Sequence, residues 1–231
     1  MLNISGLNQS YGESHTLWDV DLDVPKGSCM CLMGRNGVGK TTLLKCVMGL
    51  LRSQSGEIHF NEQNLTVKAA EDRAPLGIGY VPQGRQIFPL LTVEENLKVG
   101  LSATGKGQQE IPEHVFDLFP VLKDMLSRRG GDLSGGQQQQ LAIGRALVLE
   151  PTILIMDEPT EGIQPNIVQQ IGDIIMSLNQ EYGLTVLLVE QKLPFARRVA
   201  NRFCIMDKGK VVAGGMIEQL DQDMIQRYLT V

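Results

Sequence analysis

A layered α/β fold, with a mostly parallel sheet and helices packed on its faces, is what this sequence predicts, and three observations predict it. Short, densely apolar runs such as "CMCLM", "TILIM" and "LTVLLV" alternate with stretches of helical character. Strands that are apolar at nearly every position are those buried on both faces. One of these runs leads directly into a glycine-rich loop and then a helix. The chain has 231 residues and 42% hydrophobic content, enough for one sizeable core with or without a small subdomain.

Composition narrows the function classes. A net charge of -5 without a dense Lys/Arg run argues against a nucleic-acid partner, because backbone binding needs clustered positive charge. The apolar runs reach five or six residues, whereas crossing a bilayer takes about twenty. The stretch "MLNISGLNQSYG" lacks a basic head followed by an apolar segment, so no secretory leader is expected and the chain is expected in the cytoplasm. Cys29, Cys31, Cys46 and Cys204 show none of the paired spacing of zinc or redox motifs and read as small buried hydrophobes. His15, His59 and His114 stand far apart and are assigned no metal role.

Along the chain, the first informative element is "CMCLMGRNGVGKTT". An apolar strand from Ser28 to Met33 runs into Gly34, Arg35, Asn36, Gly37, Val38, Gly39, Lys40 and Thr41. A helix carrying Leu43, Leu44, Val47 and Met48 follows. This matches G-x-x-x-x-G-K-[ST] with the strand before and helix after that the motif requires. Glycines let successive backbone N–H groups curl around an anion, and the helix adds the positive end of its dipole. Lys40 can then reach the β- and γ-phosphates, and the Thr41 hydroxyl can ligate Mg²⁺. The expected ligand is a nucleoside triphosphate.

From Pro82 to Glu150 the texture changes to Pro/Gly punctuation and helix-like segments such as "TVEENLKVGL", which predicts a helical insertion with a surface loop at Gly105–Gln109. Within it lies "LSGGQQQQLAIGRAL". Ser134 and Gln137 have capping-box spacing, and Leu141, Ala142, Ala146 and Leu149 form an apolar stripe that should stop before Pro151. Gly135 and Gly136 then occupy the first turn, where bare N–H groups make an anion site. An ordinary capped helix is the alternative. A second anion site beside a complete phosphate loop is redundant within one chain. Two copies arranged head to tail remove the redundancy, each helix start closing over the other's phosphate loop.

Next, "TILIMDEP" reads as a buried strand delivering Asp157 and Glu158 at its carboxyl end, where ligands bind in open α/β sheets. Asp157 suits a magnesium shell, and Glu158 can polarise a water for attack on the γ-phosphate. The tail "QLDQDMIQRYLTV" reads as a closing amphipathic helix.

Over essentially its whole length the sequence resembles the ATP-binding subunits of ABC transporters. "GRNGVGKTT" resembles their Walker A, "LSGGQ" at Leu133–Gln137 their signature, and "ILIMDE" their Walker B with its catalytic glutamate. "YVPQ" resembles the segment whose glutamine, here Gln83, contacts magnesium and senses the membrane partner, and Tyr11 matches the aromatic that stacks on adenine. The resemblance implies a P-loop NTPase (RecA-like) core from residues 1–81 and 151–231, with an N-terminal antiparallel β part. It also implies an inserted helical subdomain at 82–150. It implies ATP and Mg²⁺ as ligands: ATP held by Gly34 to Thr42 of one chain and Ser134 to Gln137 of another, the metal by Thr41, Gln83 and Asp157.

Two departures from the family pattern stand out. Gln164 in "TEGIQP" occupies the place of an aspartate, and Gln191 in "VEQKL" that of the switch histidine. A glutamine amide can donate to the γ-phosphate but carries no proton charge, so Glu158 is expected to be the essential base with Gln191 assisting. "VEQ", "TVEENL" and "LAIGRAL" resemble the branched-chain amino-acid uptake group of importers. Within it, "VPQGRQIFPLLTVEENL", "LSGGQQQQLAIGRAL" and "DEPTEGIQP" resemble the urea-uptake ATPase more than the amino-acid subunits. The expected function is therefore ATP hydrolysis that drives uptake of a small solute, urea first and a branched-chain amino acid as the alternative. The implied partners are a second ABC ATPase subunit, identical or related, two transmembrane permease subunits, and a periplasmic or extracellular solute-binding protein acting through them. The implied place is the cytoplasmic face of the inner membrane. Ile87, Phe88, Leu90 and Leu91 suit a groove for a permease helix, or packing within the insertion. A soluble ABC-type ATPase and a non-hydrolysing nucleotide-binding scaffold are the rival readings.

Overall fold

In the computed structural model, which describes residues 1–103 and 110–230, two sheets and two apolar cores follow from the sequence pattern. The predicted loop at Gly105–Gln109 lies outside the described residues. The N-terminal strands β1 (Leu2–Tyr11) and β2 (Ser14–Val24) pair antiparallel, and β1 also pairs antiparallel with β4 (Ser55–Phe60), to which β5 (Gln63–Asn64) is joined.

The second sheet places β3 (Cys29–Met33), β6 (Ile78–Val81), β7 (Ile153–Asp157), β8 (Thr185–Val189) and β9 (Arg202–Asp207) parallel in the order β9-β3-β8-β7-β6. β10 (Lys210–Met216) is added antiparallel beyond β9. This is the mostly parallel sheet the sequence predicts. Every residue of β3, β7 and β8 is buried, and period-two alternation sorts their side chains to opposite faces. Cys29, Cys31 and Met33 join one core, with Leu154, Met156, Val186 and Leu188. Met30 and Leu32 join the other, with Ile155, Leu187 and Val189. The first core is closed by α2 (Val93–Ser102), α3 (Glu113–Leu118), α4 (Pro120–Asp124), α5 (Gly135–Leu147), α6 (Pro165–Gln180) and α7 (Leu193–Val199). The second is closed by the antiparallel sheet and by α1 (Lys40–Val47).

All four cysteines are free and buried. Burial pushes the Cys29 thiol up to about 12, the behaviour of an inert core residue. The side chain of Arg73 is also buried and donates to the Cys46 carbonyl at 2.9 Å, the Leu65 and Lys68 carbonyls at 2.8 Å, and the Val47 carbonyl. These acceptors include the Cys46 and Val47 carbonyls at the end of α1, where the helix leaves carbonyls without an intrahelical partner; the Cys46 carbonyl also accepts from the Gly49 N–H at 3.0 Å. Sequence reasoning missed this residue.

Two expectations need correction. The apolar stripe of α5 stops short of Leu149, which lies beyond the helix end at Leu147 and is half-buried. The C-terminal tail is not one regular helix. It forms a 3-10 turn at Ile217–Gln219, a short helical turn at Gln222–Met224 capped by Asp221, and a wide turn at Ile225–Leu229. Its apolar residues Met224, Ile225, Tyr228 and Leu229 still pack on the first core, so the amphipathic pattern holds while tertiary packing overrides the period. Among the described residues no helix is long and apolar enough to cross a membrane.

Candidate nucleotide site

The loop Gly34–Gly39 leaves the carboxyl end of β3 and delivers α1 without any side-chain cap at its start. The first N–H groups of α1 are therefore available to an anion. Gly34 has φ 145°, and a Cβ there would run into the Met206 carbonyl oxygen. Gly39 has φ 108°, and its Cβ would stand 2.9 Å from Leu17 Cδ2 of β2. No other residue fits either position. Lys40 folds back so that Nζ donates to the carbonyls of Gly34 and Arg35, each at 2.8 Å. Burial lowers its pKa, against the raising influence of Glu158 and Asp157.

Asn36 and Gly37 are exposed, Val38 and Thr42 are buried, and Thr41 is half-buried. Arg35 turns its guanidinium away from the loop and onto the C-terminal tail, where it donates to the Arg227 carbonyl at 3.4 Å and to the Thr230 carbonyl. Tyr11 is 48% exposed at the tip of the β1–β2 hairpin, and Thr16 and Leu17 of that hairpin abut Gly39.

Asp157 ends β7 with 1% of its surface exposed, and neither carboxylate oxygen meets hydrogen-bond geometry among the described residues. Burial raises its pKa, while the nearby Thr41 hydroxyl draws it back down. A carboxyl whose folded pKa is raised holds its proton more tightly folded than unfolded, so stability falls as pH rises through the folded pKa. Asp157→Asn is therefore expected to raise the melting midpoint of the nucleotide-free chain at neutral pH, by roughly 2–4 °C for about 1 kcal/mol in a chain of this size. Calorimetry without divalent metal checks this. An unchanged or lowered midpoint would show that Asp157 carries no uncompensated charge.

Glu158 follows in the left-handed region, φ 49°, with its N–H donating to the Val189 carbonyl at 2.9 Å. Such a conformation costs about 1–3 kcal/mol and persists only where the surroundings hold it. Its carboxylate accepts from two amides, Gln191 Nε2 at 2.5 Å on Oε1 and Gln83 Nε2 at 3.3 Å on Oε2. Gln191 Nε2 also donates to Asn36 Oδ1 at 2.6 Å, and Gln83 Nε2 to Glu161 Oε2 at 3.0 Å. Strand order explains the meeting: β8 lies between β3 and β7, so a residue just after β8 reaches both the Gly34–Gly39 loop and Glu158. The two hydrogens of each amide are already engaged, so Gln191 contacts a phosphate only by giving up one of these partners.

Sequence reasoning also missed Glu190. It is buried, and its carboxylate accepts from the Gln191 N–H at 2.8 Å, the Lys192 N–H at 3.0 Å and the Thr160 hydroxyl at 2.6 Å. It fixes the turn that carries Gln191, and the signal was the charged residue ending a run of buried apolar ones.

The start of α5 lies in a second concavity, a cavity of about 430 Å³ lined by Ser134, Gly135, Gly136, Gln137, Gly162 and Gln164, among others. The predicted capping box forms: Ser134 Oγ accepts from the Gln137 N–H at 3.4 Å and Gln137 Oε1 from the Ser134 N–H at 2.9 Å. The box leaves the Gly135 and Gly136 N–H groups to an outside acceptor. The glycine pair has a packing reason as well. A Cβ on Gly136 would stand 2.9 Å from Ile167, and one on Gly135 3.2 Å from the Arg85 guanidinium.

Gly84, Arg85 and Gln86, directly after Gln83, all have positive φ, at 74°, 69° and 45°. α5 grips this turn: Arg145 Nη2 donates to the Gln86 carbonyl at 2.8 Å and the Arg85 carbonyl at 3.3 Å, and Arg85 Nη1 donates to Gln138 Oε1 at 3.1 Å. Beyond it, Ile87 packs on the core and Leu91 is half-buried, whereas Phe88 is 44% and Leu90 80% exposed.

Comparison with known proteins bears on the family and the fold. A family model described as ABC transporter matches residues 17–161. The chain is 41% identical over 213 residues to the high-affinity branched-chain amino acid transport ATP-binding protein BraG of Pseudomonas aeruginosa, covering 92% of this chain and 91% of that protein. It is 38% identical to the probable branched-chain amino acid transport ATP-binding protein LivF of Archaeoglobus fulgidus, covering 95% of this chain and 94% of that one. The ATP-binding cassette MJ0796, solved as a dimer in a post-hydrolysis state bound to ADP and Pi, superposes with a TM-score of 0.85 at 26% identity, covering 94% of this chain and 99% of that one. By its motifs, its fold and these relatives, the chain belongs to the ABC transporter family and is one of its ATP hydrolases.

Proposed function

We propose that the chain is the ATPase subunit of an importer for branched-chain amino acids. The observation that carries this reading is the 41% identity across nearly the whole length of a protein named for that transport. Urea, the first expectation from the motif texture, has no support among the relatives described above, and the amino-acid alternative fits them better. Uptake of labelled leucine and labelled urea in cells with and without the gene tests the choice. Loss of leucine uptake alone supports the reading, and loss of urea uptake with leucine uptake intact overturns it.

In this reading the chain sits at the cytoplasmic face of the membrane, bound to two permease subunits that a solute-binding protein serves. Exposed Phe88 and Leu90 are the apolar contacts offered to a permease helix. Residues 82–150 act as a helical subdomain on the core formed by 1–81 and 151–231.

The catalytic unit is a head-to-tail dimer, a reading supported by the dimeric state of MJ0796. ATP lies between Gly34–Thr42 of one chain and Ser134–Gln137 of the other, with its adenine on Tyr11. Asp157, Thr41 and the Gln83 side-chain amide oxygen fit a Mg²⁺ ion, since neither buried Asp157 oxygen meets hydrogen-bond geometry among the described residues; the ion would supply charge neutralisation at the β- and γ-phosphates. Lys40 exchanges the Gly34 and Arg35 carbonyls for phosphate oxygens. Glu158, aimed by Gln83 and Gln191, accepts a proton from water as its oxygen bonds to the γ-phosphorus and the bond to the ADP oxygen breaks. Loss of the γ-phosphate removes the link between the chains, and the dimer opens. Ser134→Ala, with its cap removed, is expected to lower turnover at least about tenfold with little change in ATP affinity for the isolated chain. Turnover unaffected by this change and by dilution would overturn the shared-site reading.

A further inference from the structure

Three consecutive residues in the left-handed region, two of them not glycine, need something to hold them there. In this chain the holder is α5. Arg145 takes the two carbonyls of the turn, and its guanidinium stacks on Phe88 with 5.2 Å to the ring centroid. Arg85 reaches back from the turn to Gln138, whose Nε2 donates to the Gly130 carbonyl at 3.3 Å. The same guanidinium stands where a Cβ on Gly135 would be 3.2 Å away and one on Gly162 3.7 Å away. It thus lies between the start of α5 and the loop that follows Glu158.

The consequence depends on the shared-site reading given above. In a head-to-tail dimer Gln83 serves the nucleotide held by its own chain, and Ser134–Gln137 serve the nucleotide held by the partner. Within one chain these two groups belong to different ATP sites. We propose that Arg85 is a positioning residue that couples the two ATP sites of the dimer by tying the turn after Gln83 to the start of α5. Displacement of Gln83 when one site fills or empties is passed through the Arg85 guanidinium to Gly135 and so to the other site. Arginine suits the task because its planar fork can meet Gln138 while presenting a face to Gly135; a lysine has a single point of attachment.

The test is the ATP dependence of turnover by the full-length chain with Mg²⁺. The wild type is expected to give a sigmoidal curve, with a Hill coefficient between about 1.5 and the limit of 2 set by two sites. Arg85→Lys and Arg85→Gly are expected to give about 1, with the affinity of the isolated chain for a fluorescent ATP analogue unchanged. Arg85→Gly guards against misfolding, since glycine relieves the left-handed strain while removing the guanidinium. Either variant retaining the wild-type Hill coefficient overturns the coupling role, as does a hyperbolic wild-type curve. The parallel Ser134→Ala measurement separates the two ideas. If Ser134→Ala loses turnover and Arg85→Lys stays sigmoidal, the shared site stands and the coupling falls. If Ser134→Ala is silent, the shared site itself falls.

Discussion

Glu158→Gln is expected to reduce steady-state phosphate release by about 10²–10⁴-fold, the range contributed by a positioned general base, while leaving ATP binding intact. The carboxylate sits one residue beyond the buried end of β7, in a left-handed conformation pinned by Val189, with an amide donor on each oxygen. A glutamine there keeps the size and one acceptor but cannot take a proton. ATP should then accumulate in a closed dimer, visible by size-exclusion chromatography with Mg²⁺ and ATP. Gln191→Ala is expected to slow turnover less, because it removes one of two groups that orient Glu158 and leaves the base in place. A Glu158→Gln protein that hydrolyses ATP at the parental rate would transfer the base role elsewhere.

Lys40→Ala is expected to weaken ATP binding by at least about 100-fold, measured by calorimetric titration. Its Nζ is held at 2.8 Å from two backbone carbonyls, so the cation is buried and pre-positioned before ligand arrives. On binding, Lys40 exchanges two neutral carbonyl acceptors for anionic phosphate oxygens, whose hydrogen bonds to a cation are roughly twice as strong, and a net gain of about 2.7 kcal/mol corresponds to 100-fold. Binding within a few-fold of wild type would mean that the loop N–H groups and the start of α1 hold the triphosphate without the lysine.

Much of this site is legible in the linear sequence because its parts are contiguous. A strand, a glycine loop and a helix start, as in Cys29–Val47, are local structures whose residue types answer to local backbone geometry. The same holds for the Ser134–Gln137 cap and for strands buried on both faces. The relation of these parts is not local. That Gln191 meets both Asn36 and Glu158 follows from β8 lying between β3 and β7, and strand order is fixed by long-range packing that no short window contains. Solute class was likewise beyond the motifs, because in this reading the residues that meet the solute belong to other chains.

The sequence by itself determined the strand, glycine loop and helix start at Cys29–Val47, the acidic pair ending β7, the capped glycine helix start and the buried character of the central sheet, since each depends on neighbours within a few residues. Only the tertiary structure decided that Arg35 turns to the tail, that Glu190 fixes the turn carrying Gln191, and that Arg85 joins the turn after Gln83 to α5. These are side-chain meetings across as many as 195 positions of chain, and they exist because packing two cores on one sheet brings distant segments side by side.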